Sequence, residues 1–355
     1  MGRGNLFLRI LVRPEIFVYA AFFIFTTAFF LLNAFTQNGG QDIVGHYLKL
    51  NGPRLVWTLI LVFIALFAHG VVLWVKAAIR QVDPATLVTR QNAGLLIRQT
   101  RAVLKNLVTL GIPFVLAFSS LSLALGPLNV FNATRLRDEL LFSWDVWLTG
   151  TFPPLTLSSF QYPGWFVSTV ESPFFYLVPV LTIFGAYLFI ARPHVFREAA
   201  GAFFLAAIIM FAGWFTFPVL SPNDRFVDNV YNLPVPPETQ QYVERYQPQK
   251  EVLAFWEKIY ASRENMEIFP TTAIPSAHVV WAVFLIYYSW RVWKWLLVFS
   301  LPFGLLATFG TNLFAAHYFV DILTGVVCGA GAIFIARWLA RKKDAYLQSA
   351  QPAIQ

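Results

Sequence analysis

The sequence predicts an all-α membrane protein, a polytopic helical bundle of about eight transmembrane helices. Three observations lead to this fold class. The 355 residues are 57% hydrophobic and only 12% charged, whereas soluble domains carry about 25% charged residues. Apolar runs long enough to cross a bilayer as a helix recur along the whole chain. Phe, Trp and Tyr are abundant, which suits lipid contact and interfacial belts.

Each predicted span is an apolar run, because a hydrocarbon core of about 30 Å requires roughly 20 apolar residues per helix. The first run lacks a small-residue cleavage site, so we expect a span there and no signal peptide. The sixth and seventh runs are divided only by the short segment Arg291–Trp295. The predicted spans are residues 16–36, 55–77, 103–125, 173–191, 199–220, 276–291, 295–314 and 317–339.

The distribution of basic residues predicts the orientation of these spans. With the N-terminus inside, most of the 26 Lys and Arg residues fall in inner segments, as the positive-inside rule requires. Lys and Arg residues at the inner ends of the spans would face anionic lipid head groups, which accounts for the net charge of +8. No basic stripe is interleaved with aromatic residues, which excludes nucleic acid as a partner. We expect an integral protein of a bacterial inner membrane or of a secretory-pathway membrane.

Two outer loops are long. Residues 126–172 are expected to lie in the interface as short helices or as a re-entrant piece. Residues 221–274 begin Pro-rich and then show helical spacing in Val252, Phe255 and Trp256. This pattern predicts either an ordinary amphipathic surface helix or an interfacial helix that guides a lipid head group, and the sequence leaves both open.

His317 and Asp321 stand at the head of the last apolar run. Ionisable groups inside a membrane are costly, so they are functional candidates by default. Positions i and i+4 share a helix face, where the carboxylate can fix the tautomer of the imidazole and raise its basicity. The result is an oriented nucleophile. A His–Asp pair that only bridges two spans for packing is the alternative.

His278 heads the sixth apolar run in the stretch Pro275-Ser276-Ala277-His278. Pro275 is compatible with a first helical turn, and the free N–H groups and dipole of a helix N-terminus favour an anion. A phosphate at Ser276 would leave His278 placed to act as a general acid. If His278 is considered without His317, a lone interfacial histidine with no catalytic role is the simpler interpretation. In the predicted topology both histidines lie on the non-cytoplasmic face, which is periplasmic or luminal.

These residues resemble the type-2 phosphatidic acid phosphatase superfamily, whose motifs are Lys-x6-Arg-Pro, Pro-Ser-Gly-His and Ser-Arg-x5-His-x3-Asp. Pro275–His278 fits the second motif with Ala in place of Gly, and His317-x3-Asp321 fits the end of the third. The resemblance implies a six-helix phosphatase-like core at 102–343. Two accessory helices and an inner loop would occupy 1–101, and a cytoplasmic tail 344–355.

The resemblance also implies roles for three residues. His317 would attack phosphorus and become a phosphohistidine, Asp321 would orient it, and His278 would protonate the leaving group and then activate the acceptor. It implies no metal and no other cofactor. The substrate would be a lipid phosphate or a phospholipid, and the acceptor water, a lipid or a polyol. Hydrolysis and transfer both remain open.

The sequence departs from the family pattern in its cations. Thr311, preceded by Gly310, stands where the family has Arg, and Lys-x6-Arg-Pro is missing at the outer end of the fifth span. A dianionic phosphoryl group still requires compensating donors. Arg225 is the first candidate and Arg263 the second, with Asn312 as a hydrogen-bond donor. A solvated loop charge is the alternative for Arg225.

The relaxed pattern resembles the inositol phosphorylceramide synthase (inositolphosphotransferase) branch, whose members move phospho-alcohol head groups between lipids. Metal-dependent CDP-alcohol phosphotransferases require an Asp-Gly motif, and the chain contains no Asp-Gly. A polytopic transporter or a non-catalytic scaffold stays open, because Pro113 and Pro302 could kink their spans.

Overall fold

The computed structural model describes residues 14–36, 104–263 and 267–350, with side chains to residue 342, and a few single positions between them. All regular elements within these ranges are helical, which confirms the all-α prediction. The predicted second span, 55–77, lies almost entirely outside the described residues.

Within these ranges the helices differ widely in length. The α-helices are α1 (Pro14–Phe35), α2 (Ile112–Asn132), α3 (Asp138–Thr149), α4 (Pro153–Ser159), α5 (Gly164–Ala191), α6 (Pro193–Thr216), α7 (Pro237–Arg245), α8 (Lys250–Ser262), α9 (Ala277–Val292), α10 (Leu297–Leu313) and α11 (Phe319–Ala350). Short π-helical turns cover Leu107–Gly111 and Asn223–Val227, and a 3₁₀ turn covers Lys294–Leu296.

Six helical segments of the described chain are long and apolar enough to cross a membrane. They are Glu15–Phe35, Leu104–Asn132, Gly164–Ala191, Pro193–Thr216, Lys294–Leu313 and Phe319–Lys342. The chain is therefore an integral membrane protein with a polytopic helical bundle. The predicted sixth span is a helix too, α9, but its 16 residues make it shorter than these segments.

The predicted start of the fourth span was wrong. Helix α5 begins at Gly164 and not at residue 173. The polar residues Ser168, Glu171 and Ser172 interrupt the apolar run, but they do not interrupt the helix. Pro173 lies inside α5, where neighbouring groups can compensate for the missing N–H of a proline in a membrane helix.

The loop 126–172 does contain short helices, α3 and α4, as predicted. The amphipathic helix predicted in the loop 221–274 is confirmed as α8, which buries Val252, Phe255 and Trp256. Its apolar side therefore packs within the protein.

The described chain divides into two compact units. One comprises the described residues up to position 124 together with residues 184–201. Within it, the Tyr19 hydroxyl donates to the carbonyl oxygen of Thr109 over 3.0 Å, and the hydroxyls of Thr26 and Ser120 lie 3.0 Å apart. Polar contacts thus join α1 to α2 and to the π-helical turn that precedes it.

The second unit comprises residues 125–183 and 202–355 and contains every candidate site residue. Two apolar clusters lie on either side of the turn between α10 and α11. The first contains Leu141, Phe142, Phe152, Leu155, Val219, Phe226, Ala273, Ile274, Ala315, Tyr318 and Val320. The second contains Val167, Val170, Phe174, Val252, Phe255, Trp256, Leu313 and Phe314. Residues at the start of the turn belong to the second cluster and residues at its end to the first, so the turn is packed into both.

Glycines allow α9 and α11 to pack closely. A Cβ atom on Gly325 would lie 2.9 Å from both the carbonyl oxygen of Ser276 and the Cβ of Val279. One turn further along α11, a Cβ on Gly329 would lie 3.2 Å from Val283. The N-terminal ends of the two helices are therefore neighbours.

Candidate active site

The N-terminus of α9 is defined by Ser276. This residue is the N-cap, and its Oγ accepts a long hydrogen bond of 3.5 Å from the N–H of Val279. Pro275 lies immediately before the N-cap and therefore outside the first helical turn, where the sequence analysis had placed it. The indole N–H of Trp214 donates to the carbonyl oxygen of Pro275 over 3.2 Å and holds this segment against α6.

A tight turn leads into α11 and carries His317. The Asn312 amide donates to the carbonyl oxygen of His317 over 2.8 Å. The carbonyl oxygen of Thr311 accepts hydrogen bonds from the N–H groups of Ala316 and His317. Ala315 adopts a positive φ of 48°, the left-handed conformation that closes the turn. Asn312, predicted as a phosphate donor, thus uses its amide to hold the backbone of His317.

His317 and Asp321 are close, but not as neighbours on one helix face. Because α11 begins at Phe319, His317 lies before the helix. Its Nδ1 is 3.4 Å from Oδ2 of Asp321. The same Oδ2 accepts the N–H of Tyr318 over 3.0 Å, as a carboxylate in a first helical turn can do for the preceding backbone. The side chains of His317 and Asp321 are both buried.

The two histidines meet at the helix heads. The ring centroids of His278 and His317 are 5.7 Å apart, with the ring planes at 67°. Phe174 of α5 stacks on His278, with centroids 4.4 Å apart and planes at 12°. This contact fixes the orientation of the His278 ring. At this separation both imidazoles can reach one phosphoryl group.

Arg225, the first phosphate-ligand candidate, is buried in a different set of contacts. Its Nη2 lies 2.7 Å from Oε1 of Glu139 and also donates to the carbonyl oxygen of Pro234 over 2.8 Å. Its Nη1 donates to Oδ1 of Asn229 over 3.4 Å. The guanidinium therefore joins the loop that follows α6 to Glu139 of α3.

Arg263, the second candidate, pairs with Asp224, its Nη1 lying 3.4 Å from Oδ2. Burial raises the pKa of the Asp224 carboxyl, and Arg263 and Tyr260 oppose the rise. Within the described residues, neither Arg263 nor Arg225 has a hydrogen bond or ion pair to His278, His317 or Asp321. The structure thus brings together His278, His317, Asp321 and Ser276, and places the two arginines in separate carboxylate pairs.

Two buried aspartates that the sequence analysis missed support the His317 turn. Asp145 of α3 accepts the N–H of Phe319 at Oδ2 over 2.7 Å and that of Val320 at Oδ1 over 2.9 Å. Asp138, on the same helix, accepts the Tyr318 hydroxyl over 2.8 Å at Oδ1. Burial raises the pKa of each carboxyl to about 7, against the opposing effect of these hydrogen bonds.

One sequence signal pointed toward these aspartates. Asp138 and Asp145 are seven residues apart, two turns along one helix face, in a segment otherwise rich in Leu, Phe and Trp. Carboxylates on an apolar helix face require a buried partner. The identity of that partner, 174 residues away, is visible only in the fold.

The fold and the site define a helical membrane protein with two histidines and a carboxylate at adjoining helix heads. The chain belongs to the PAP2 superfamily, whose family model matches residues 139–335, more than half of the chain. No curated protein and no solved structure matches it. Members of this superfamily are phosphatases or phosphotransferases, which makes the chain a membrane enzyme of this class.

Proposed function

We propose that the protein is a lipid phosphotransferase or phosphatase that acts through a phosphohistidine, without a metal, on a lipid phosphate or phospholipid head group. The observation that carries this proposal is the 5.7 Å separation of the His278 and His317 rings beside Asp321. Two imidazoles and one carboxylate form the minimum set for a nucleophile, its orienting base and a general acid.

In the proposed reaction, His317 attacks phosphorus and the leaving alkoxide takes a proton from His278. The Nδ1 of His317 faces Asp321, and the imidazole also interacts with the backbone of Ala273. In the proposed reaction the new P–N bond forms at Nε2. The acceptor, water or an alcohol, then loses a proton to His278, attacks phosphorus and breaks the P–N bond. Atoms and protons balance over the two steps, and each histidine returns to its starting state.

The first turn of α9 is the proposed anion site. The N–H groups of Ala277 and His278 precede the first intrahelical donor, and Ser276 caps only the N–H of Val279. Free N–H groups and the helix dipole at this end favour a phosphate oxygen. The three first N–H groups at the head of α11 are already bonded to carboxylates, which directs the anion to α9.

The charge of the site favours a phosphodiester over a phosphomonoester. Thr311, in place of the family arginine, is fully buried, and its hydroxyl donates to the carbonyl oxygen of Thr308. Within the described residues, Arg225 and Arg263 are paired with carboxylates elsewhere. A site with few cations stabilises a singly charged diester better than a doubly charged monoester. This agrees with transfer of a phospho-alcohol head group, as in the inositol phosphorylceramide synthase branch.

The proposed site lies on the periplasmic or luminal side. The positive-inside distribution of Lys and Arg supports this side for both helix heads. A head group from the outer leaflet could then reach the site without crossing the bilayer.

A lipid panel tests the proposal. Purified protein is incubated with lipid phosphates and with phospholipids, with and without inositol, and free phosphate and new lipids are quantified. We expect turnover by the wild type and by His194→Ala, whose exposed imidazole lies outside the site, and none by His317→Ala. Turnover by His317→Ala equal to that of the wild type would overturn His317 as the nucleophile. No turnover of any lipid by the wild type would favour a transporter or scaffold.

A further inference from the structure

Resting on the proposed function, we propose that Asp145 is a positioning residue for the reaction. Its carboxylate holds the segment that joins His317 to Asp321 in the arrangement that the chemistry requires. Asp145 lies on α3, outside the family motifs, and touches neither histidine in the described structure.

At the head of α11, the backbone N–H groups of three successive residues all donate to carboxylates. The first N–H groups of a helix have no intrahelical acceptor and require one from elsewhere. Oδ2 of Asp321 takes the N–H of Tyr318, and the two oxygens of Asp145 take those of Phe319 and Val320. Three successive donors between the nucleophile and its orienting carboxylate are therefore fixed, two of them by Asp145.

This contact differs from an ordinary N-cap because the acceptor comes from another helix. Asp145 is fully buried, and both of its oxygens are occupied by the same short segment. A bidentate acceptor sets the rotation of the segment as well as its distance from α3. The direction in which the His317 side chain projects from the backbone therefore depends on α3.

Asp138 provides a second contact between α3 and the same turn. Its Oδ1 accepts the hydroxyl of Tyr318, which is fully buried next to His317 in sequence, and the N–H of Leu220. The two aspartates are two helical turns apart, so α3 braces the turn at two points. Asp138 alone leaves rotation about the Tyr318 side chain free, and the Asp145 contacts remove that freedom.

Removal of the second oxygen acceptor should loosen the nucleophile without changing the anion site on α9. Displacements of about 1 Å in a catalytic group cost roughly 100-fold in rate. We therefore expect Asp145→Asn, which keeps one acceptor oxygen, to lower kcat about 10- to 100-fold with KM changed less than about 3-fold. Asp145→Ala should lower kcat further.

A chemical readout separates positioning from simple stability. Diethyl pyrocarbonate modifies accessible neutral imidazoles, and mass spectrometry follows His317 and His194 in the same sample. In Asp145→Asn the modification rate of His317 should rise several-fold relative to His194, on folded protein isolated by gel filtration. Ser143→Ala, an exposed residue of the same helix, is the matched control and should behave as wild type.

The outcomes are distinguishable. If the wild type turns over no lipid in the panel, the proposed function fails, and the His317 modification rate still tests the role of Asp145. If the wild type is active but Asp145→Asn keeps wild-type kcat and His317 reactivity, the positioning role is wrong and the proposed function stands. Should Asp145→Asn not accumulate, the same two measurements are made on Asp145→Glu, which keeps both oxygens and the charge but shifts them by one methylene. Wild-type kcat and His317 reactivity in that variant would overturn the positioning role.

Discussion

The backbone N–H of Ser276 donates to the backbone carbonyl oxygen of Asp321 over 3.2 Å. This hydrogen bond joins the N-cap of α9 to the first turn of α11, between His278 on one side and the His317–Asp321 pair on the other. The separation of the two imidazoles therefore depends on how closely the two helix heads pack, and not only on the rotamers of the histidines.

The first prediction concerns Gly325, which permits this close packing. In Gly325→Ala the new Cβ would lie 2.9 Å from the Ser276 carbonyl oxygen, a backbone atom that cannot rotate away. We expect a lower thermal midpoint and a kcat reduced by about 100-fold, since the helix heads must separate. Gly331→Ala, where no atom lies within 4 Å of the new Cβ, is the control. Wild-type values for both variants would show that the helix heads tolerate separation.

The second prediction concerns the charge of Asp321. Asp321→Asn keeps the shape of the side chain and can still accept the N–H of Tyr318, but it removes the charge that stabilises a cationic imidazole. We expect kcat to fall about 100- to 10,000-fold with a much smaller change in KM. Steady-state kinetics of Asp321→Asn measure this effect, with Glu251→Gln as the control because Glu251 is an exposed carboxylate on α8. A loss confined to KM would assign Asp321 to substrate binding.

The third prediction tests His278 as the general acid. Its removal should matter most when the leaving group is a poor one that needs a proton. We expect His278→Ala to lower the rate on an alkyl phosphodiester about 100-fold or more. The rate on the corresponding p-nitrophenyl phosphodiester, whose leaving group needs no proton, should fall much less. Phe174→Leu, which removes the ring stacked on His278, should act in the same direction with a smaller effect. Equal losses on both esters would contradict a proton-donor role.

The fourth prediction follows from the buried Asp138. Burial raises the pKa of its carboxyl from 3.8 to about 7, so between these values the folded state binds more protons than the unfolded state. The contribution of this group to stability must therefore decrease as pH rises from about 4 to about 7. Asp138→Asn removes this dependence, so its thermal midpoint should rise relative to wild type from pH 4.5 to pH 8. A constant difference would mean that Asp138 does not titrate in this range.

The fifth prediction concerns metal ions. Histidine and carboxylate groups perform every step of the proposed reaction, so chelation should not change turnover. We expect the same kcat before and after dialysis against EDTA, with addition of Mg²⁺ or Mn²⁺ as the comparison. A strict requirement for an added divalent cation would contradict the proposed mechanism.

Much of the fold could be predicted because hydropathy is a local property. The apolar runs gave the long helices to within a few residues in most cases, and the spacing of Val252, Phe255 and Trp256 gave α8. The start of α5 was misplaced because Glu171 and its neighbours are polar, although a helix accommodates polar residues on one face. Hydropathy windows locate the apolar part of a helix and not its ends.

The site could be predicted only where its residues are close in sequence. His317, Asp321 and the Pro275–His278 stretch carry a recognisable spacing. Asp145 and Phe174 do not, because their partners lie far away along the chain and are selected by tertiary packing. Arg225 has the chemistry of a phosphate ligand, but only the fold shows that its guanidinium forms an ion pair with Glu139. The assignment of phosphate ligands stays a prediction.

The most direct test of the central claim is to trap the covalent intermediate. Wild-type protein is mixed with a phospholipid labelled at phosphorus, the reaction is stopped within the first turnover, and the denatured protein is digested and mapped by mass spectrometry under alkaline conditions. A phosphohistidine mechanism predicts an acid-labile phosphoryl adduct on the peptide that contains His317, and its loss in His317→Ala but not in His194→Ala. Product formation by the wild type with no adduct on His317, or with an adduct on another residue, would contradict His317 as the nucleophile.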